Sequence, residues 1–264
     1  MNIDNKLKSI DALKSKISEL FPGGDWADAF LRKVKVDFTY NSNKLEGNTL
    51  TYGQTIKLLR DFVTPKNAAP GEVLDIINHQ KILDTVFNNY RSQSFSTENI
   101  KALHKELMKD TDQWGDDALY SPGKYKLFAN ATVRATGKIH NYMPPVQVAN
   151  AMEELILHTN EAIKNADTKD TSKHILTAAT YFHQQFLNNI HPFSDGNGRI
   201  GRIFTNLILL KSGYAPIFIK EVDKNEYLKR FELSDNDLQP MLDFMADRLI
   251  ESMREKFEFV NSRK

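Results

Sequence analysis

His191-Pro192-Phe193-Ser194-Asp195-Gly196-Asn197-Gly198-Arg199-Ile200-Gly201-Arg202 decides how this chain is read. It joins two apolar stretches of helical period. Residues 175–189 carry Tyr181, Phe182, Phe186 and Leu187, and the stretch from Gly198 carries Ile200, Ile203, Phe204, Leu207, Ile208 and Leu210. Two core helices around a glycine loop make the fold mainly α. A helix N-terminus presents unpaired N–H groups and a partial positive charge. Gly196 and Gly198, on either side of Asn197, let that backbone close on an anion. Arg199 and Arg202, three apart on the first turn, reach the same anion. His191 titrates near neutral pH and accepts a proton from a hydroxyl. Asp195 is a hard oxygen ligand, suited to a Mg²⁺ ion held otherwise by waters and phosphate oxygens. The inventory is that of phosphoryl or nucleotidyl transfer, which consists mostly of positioning and charge neutralisation. Singly, each residue has a blander reading: a C-cap histidine, a turn, a solvated arginine face. Their coincidence in one short loop at a helix start favours the phosphate site. The loop lacks the Gly-Lys-Ser/Thr of a Walker motif and follows no strand, so it is neither a P-loop nor a dinucleotide fingerprint.

Outward from the loop, helical periodicity dominates. Leu7, Ile10, Leu13, Ile17 and Leu20 predict an amphipathic first helix that packs into the core and stops at Phe21-Pro22-Gly23-Gly24. A second helix is expected over 26–46, with Gly47 as a left-handed stop, and Thr51 with Gln54 opens a third by a capping box. Further helices are expected at 72–90, 97–109, 146–164, 172–189, 199–212, 224–231 and 235–260. Between Gly123 and Pro144, β-prone residues around Asn130 and Gly137 read as an irregular hairpin. No repeat or low-complexity linker interrupts the 264 residues.

The composition sets limits. With 35 basic and 34 acidic side chains the net charge is +1, which gives no global field for nucleic acid or anionic membrane. There is no cysteine, which removes disulfides, thiolate metal sites and a thiol nucleophile. The first twenty residues lack the apolar core of a signal peptide, and no apolar run reaches membrane-spanning length. A cytoplasmic protein with no membrane and no nucleic-acid partner is expected.

The loop resembles the signature of the Fic (Fido) family, His-x-Phe-x-Asp/Glu-Gly-Asn-Gly-Arg-x-x-Arg, at every fixed position. Ser42-Asn43-Lys44-Leu45-Glu46-Gly47 resembles the family's inhibitory motif, Ser/Thr-x-x-x-Glu-Gly/Asn, placed N-terminal to the core. Asn48-Thr49-Leu50-Thr51, Ala102-Leu103-His104 and Tyr142-Met143-Pro144-Pro145 also look familial. The resemblance implies a Fic-type helical domain with a small β-hairpin flap. It divides the chain into an N-terminal helical region, 1–70, with an inhibitory helix at 33–47, and a core, 71–264, with the flap at 123–143 and the active-site loop at 191–202. It implies protein adenylyltransfer: AMP passes from ATP to a Ser, Thr or Tyr hydroxyl of a target protein docked on the flap. His191 is then the general base and Phe193 a buried anchor. Asp195 binds Mg²⁺, Gly196, Asn197 and Gly198 form the anion hole, and Arg199 and Arg202 hold the β- and γ-phosphates. Glu46 would pair with Arg202 and hold the site off, with Ser42 setting the helix. Where relatives often have Arg after the flap tyrosine, this chain has Lys126. Tyr227 and residues 217–222 are candidates for an adenine pocket. Rival readings are another nucleotide substrate, removal of AMP, or a nucleotide-sensing interaction module without catalysis. Assembly into a homo-oligomer stays open.

Overall fold

The computed structural model describes residues 1–20, 26–111, 121–134 and 136–262. Its helices are α1 (Ile3–Leu20), α2 (Trp26–Leu45), α3 (Tyr52–Asp61), α4 (Pro70–Asn88), α5 (Thr97–Leu107), α6 (Pro145–Lys164), α7 (Ile175–Gln184), α8 (Asn197–Lys211), α9 (Lys224–Leu233) and α10 (Gln239–Asn261). Between α5 and α6, β1 (Ala131–Val133) pairs antiparallel with β2 (Ile139–Asn141), Thr132 opposite His140. The fold is mainly α with a small hairpin, as the periodicity predicts. The expected stop at 21–24 lies outside the described residues.

The core centres on α8. Ile200, Ile203, Leu207, Ile208 and Leu209 are fully buried, and each such side chain contributes about 1.5–3 kcal/mol. Buried residues run along most of α8, so it is wrapped by α7, α5, α4 and α2. The first helix, α1, packs along α10, and Leu7, Ile10 and Ile17 join the main core. Lys6 on the same face ion-pairs with Asp247 at 2.8 Å.

Local chemistry explains the helix ends. The last turn of α2 closes as a Schellman motif, with Asn48 N–H bonding Asn43 O and Gly47 N–H bonding Lys44 O, both at 3.1 Å. Gly47 supplies the φ of 98° that this turn requires. The chain then runs to Thr51, which caps α3 in the expected box with Gln54. Glu72 at the start of α4 accepts the Thr49 N–H at 2.6 Å and fastens that turn. On its other side α2 is fastened to the three-residue helix Glu221–Asp223 that leads into α9. Tyr40 donates its hydroxyl to Glu221 at 3.0 Å, Glu221 N–H bonds Asn41 at 3.0 Å, and Lys44 lies 3.6 Å from the same carboxylate.

Three expected helices differ. The one predicted over 172–189 divides into a 3-10 turn, Thr171–Lys173, then α7, then a π-helical turn, Gln185–Ile190. His191 N–H bonds Phe186 O at 2.9 Å, which inserts an extra residue per turn and rotates His191 off the core-facing stripe. Such turns shift the period by a single residue, so the apolar pattern conceals them. Helix α8 starts at Asn197, two residues earlier than expected, because Gly196 at φ 73° turns the chain straight into it. Helix α10 starts at Gln239 rather than 235: Pro240 fits only the first turn, and Asp237 accepts the Gln239 N–H at 3.0 Å.

Candidate active site

The π-turn delivers His191 in a left-handed conformation, φ 47°, as a helix C-cap. The cap histidine and the site histidine are therefore one residue. Its Nδ1 lies 2.9 Å from Leu187 O, an acceptor, so Nδ1 carries the proton and Nε2 is the bare nitrogen. Tyr142, just beyond β2, stacks on the imidazole at 3.8 Å between ring centres and fixes its plane. Burial lowers the His191 pKa to about 4, with Lys126 pushing the same way. At neutral pH the ring is neutral.

The loop behind it is pinned from below. Phe193 is fully buried and stacks on His104 of α5 at 3.7 Å. His104 Nδ1 accepts the Gly123 N–H at 2.9 Å, so its proton sits on Nε2 and goes to the Asp195 carbonyl at 2.9 Å. Asn197 clasps Phe193 at both ends, its carbonyl accepting the Phe193 N–H at 2.9 Å and its amide donating to Phe193 O at 2.8 Å. Both ends of that side chain are committed to the loop. What Asn197 offers a ligand is its backbone, with Gly198 and Arg199 at the first turn of α8.

Burial also lowers the His104 pKa to about 4, and that of His183, in the core of α7, to about 3. Both folded values lie below the ordinary value, so the unfolded chain protonates first as pH falls. Stability from these rings is complete above about pH 6.5 and declines toward pH 4. Urea unfolding at pH 5 is expected to show a loss on the order of 2 kcal/mol per ring relative to pH 7.

The two arginines are buried and take different partners. Arg202 donates Nε to Ser42 Oγ at 3.0 Å, and Nη2 to Ser42 O at 2.9 Å and Glu46 Oε1 at 2.7 Å. Glu46 stands at the C-cap of α2, the negative end of that helix, and Arg202 supplies the compensating cation. Its carboxylate also lies against Gly198: a Cβ there would collide with Glu46 Oε1 and come within 2.8 Å of Arg202 Nη1. The acid therefore sits at the positive end of α8, where an anion is favoured. Arg199 turns away and ion-pairs with Asp75 of α4, with Asp195 Oδ2 at 3.6 Å. Burial raises the Asp75 pKa while Arg199 pulls it down. Asp75→Ala leaves Arg199 buried with a more distant acid alone, so thermal unfolding is expected to report a loss of about 3 kcal/mol.

The hairpin is anchored on both sides of the loop. Lys126 N–H bonds Pro192 O at 2.9 Å, and its buried ammonium donates to Asn130 at 2.6 Å and Ile190 O at 3.1 Å. Burial lowers its pKa to about 8. This lysine is a strut under the flap. Arg134, at the end of β1, ion-pairs with Asp235, which also accepts the Asn188 amide at 2.8 Å.

Between flap, loop and α9 lies a cleft of about 490 Å³. His191, Gly198, Arg202, Glu46, Tyr142 and Tyr227 line it. The stretch 217–222 does not: Ile217 and Ile219 are buried in the core and Val222 is exposed. The wall on that side is α9, with Tyr227, Leu228 and Phe231. Among the described residues no cluster of three or more His, Asp or Glu side chains could hold a metal ion alone, and no helix is long and apolar enough to cross a membrane. Sequence reading missed Asp75, His104 as the loop's support, the Lys126 strut and the Asp235 tether. All four act across long sequence separations, where no local spacing announces a partner.

Comparison with known proteins agrees with this architecture. The profile of the Fic/DOC family matches residues 94–209. "Protein adenylyltransferase Fic" of Nematostella vectensis is 25% identical over 252 residues, covering 91% of this chain and 53% of that protein. The chain spans about half the length of the curated relatives it matches. Among solved structures, a Fic domain containing signaling protein from Bacteroides thetaiotaomicron superposes with a TM-score of 0.85 at 29% identity, covering 96% of this chain and 97% of that one. Fic-1 from C. elegans shares the fold, with a TM-score of 0.78 at 20% identity, 97% of this chain and 71% of that one.

Proposed function

We propose that the chain is a protein adenylyltransferase held off by its own α2, a reading that proceeds from the match of residues 94–209 to the Fic/DOC family. The observation that carries the reading is Arg202 gripped by Ser42 and Glu46 in the cleft that also holds His191. The adenylyltransferase names of the relatives support the chemistry.

ATP is the donor. Its phosphates lie over the N-terminus of α8, where Gly196 and Gly198 admit them, and Arg202 takes the terminal phosphate. Arg199, held by Asp75, supports the phosphates as a fixed charge. A hydroxyl of the target, presented along the flap, attacks the α-phosphorus. His191 Nε2 takes its proton, the new O–P bond forms, the bond to the β-phosphate breaks, and pyrophosphate leaves. Neutral His191 with its proton fixed on Nδ1 is the form this step requires. The exposed edge of β1 and β2, three residues each, suits main-chain pairing with an extended target segment.

Asp195 fits Mg²⁺ as a single carboxylate. Its Oδ1 accepts the Gly196 N–H at 2.6 Å, which orients the group beside the α8 N-terminus, and its side chain is 42% exposed. When bound, the ion would neutralise charge on the phosphates and the departing pyrophosphate. Glu46 occupies the place an anion would take, so α2 and the triphosphate compete for Arg202.

The test is incubation of the Glu46→Gly protein with ATP and cell lysate, followed by mass spectrometry. Protein adducts of AMP on Ser, Thr or Tyr, with pyrophosphate released, are expected. Nucleotide turnover with no protein adduct would overturn the reading.

A further inference from the structure

Arg202 has a neighbour besides Ser42 and Glu46. The Tyr227 phenol, on α9, lines the same cleft as the guanidinium. Burial raises the phenol pKa, and the Arg202 charge draws it down against that rise. Behind the phenol runs a buried chain. Its oxygen lies 2.7 Å from His183 Nε2, and His183 Nδ1 lies 2.9 Å from Thr205 Oγ1. Thr205 donates its own hydroxyl to Gly201 O at 2.8 Å. That commitment fixes every proton behind it. The Thr205 oxygen can only accept, so His183 Nδ1 holds the ring proton. Nε2 then accepts, and the Tyr227 hydroxyl points at His183. The remaining lone pairs of the phenol are left for Arg202, which only donates. His183, Thr205 and Tyr227 are each at most 2% exposed, and His183 stays neutral because burial holds its pKa at about 3.

The origin of each partner matters. Ser42 and Glu46 both come from α2, whereas Tyr227 comes from α9 and His183 and Thr205 from the core. Glu46 cancels the charge of Arg202; a phenol orients the guanidinium and leaves its charge for a ligand. Arg199, by contrast, is held in place by an acid, Asp75.

We propose that Tyr227, oriented by His183 and Thr205, is a positioning residue that keeps Arg202 aimed at the terminal phosphate when α2 lets go. The inference rests on the reading of Arg202 as a triphosphate ligand given above.

The test compares Glu46→Gly with Glu46→Gly/Tyr227→Phe, which keeps the ring and removes the oxygen. ATP and ADP dissociation constants are measured for each, with kcat and KM for transfer. Loss of one charge-assisted hydrogen bond predicts ATP affinity down about tenfold. ADP, which lacks the terminal phosphate, should bind unchanged and so reports an intact fold. His183→Leu in the same background should lower ATP affinity likewise, and His183→Gln, which restores an acceptor for the phenol, should recover part of it. Unchanged preference for ATP over ADP in the Tyr227→Phe protein overturns the proposal. So does an equal loss for both nucleotides, which would make Tyr227 a wall of the base pocket. If Glu46→Gly with Tyr227 intact shows no preference for ATP over ADP, the reading of Arg202 falls and this inference with it.

Discussion

His191→Ala, made in the Glu46→Gly background, is expected to lower AMP transfer by about 10²–10⁴-fold while ATP still binds. The two effects separate because they depend on different groups. In the proposed reaction, binding relies on the N-terminus of α8, Arg199 and Arg202, none of which donates to His191. Proton removal relies on Nε2, which Leu187 O leaves bare by holding the proton on Nδ1 at 2.9 Å. The methyl of alanine replaces the ring that Tyr142 stacks on at 3.8 Å, so the flap loses a contact but keeps its Lys126 and Arg134 anchors. Transfer is read as labelled AMP on protein and binding by calorimetry. Undiminished transfer would remove His191 from the role of base. The pH profile gives a further check: with the folded pKa lowered to about 4, the base is unprotonated across pH 5.5–8, roughly, and transfer should fall only below that range.

Glu46→Gly is expected to raise transfer by about 10- to 150-fold, the worth of a charge-assisted hydrogen bond of 1.5–3 kcal/mol. The substitution removes the carboxylate from Arg202 Nη2, 2.7 Å away, and clears the space against Gly198 that it fills. It does little harm to the fold, because the end of α2 is closed by backbone bonds of Gly47 and Asn48 rather than by the Glu46 side chain. Ser42 keeps its two bonds to Arg202. Glu46→Gln isolates the charge: it preserves the shape, weakens the grip on Arg202, and should give an intermediate rate. Equal incorporation by the native chain and both variants would refute competition at Arg202.

Much of this is legible in the sequence alone. Gly47 announced the end of α2, Thr51 and Gln54 the start of α3, and Gly196 with Gly198 the approach to α8, because each is settled by the chemistry of a few neighbouring residues. The apolar periods of 175–189 and of the stretch from Gly198 located the two central helices for the same reason. The π-turn was hidden, since one extra residue in a continuous apolar run leaves no mark in composition. Asp75 was hidden too: an acid on a mixed helix reads as solvated until α4 is laid against α8 and Arg199 is found waiting. Asn197 reads as part of the anion hole, and the grip of its side chain on Phe193 is hidden in the sequence. Lys126 looked like a weakened arginine, yet its ammonium holds the flap to Ile190 O and Asn130.

The bonds from Tyr40, Asn41 and Lys44 to Glu221 give α2 a second hold, on the segment that feeds α9. Two grips on one rigid rod are thermodynamically linked, and linkage is reciprocal. If ATP and α2 compete for Arg202 as proposed, whatever free energy ATP would gain by unseating α2 is the same free energy by which an unseated α2 would favour ATP. A partner that pries Tyr40 or Lys44 from Glu221 would then act on the nucleotide without touching it, and rising ATP would offer that partner a looser helix.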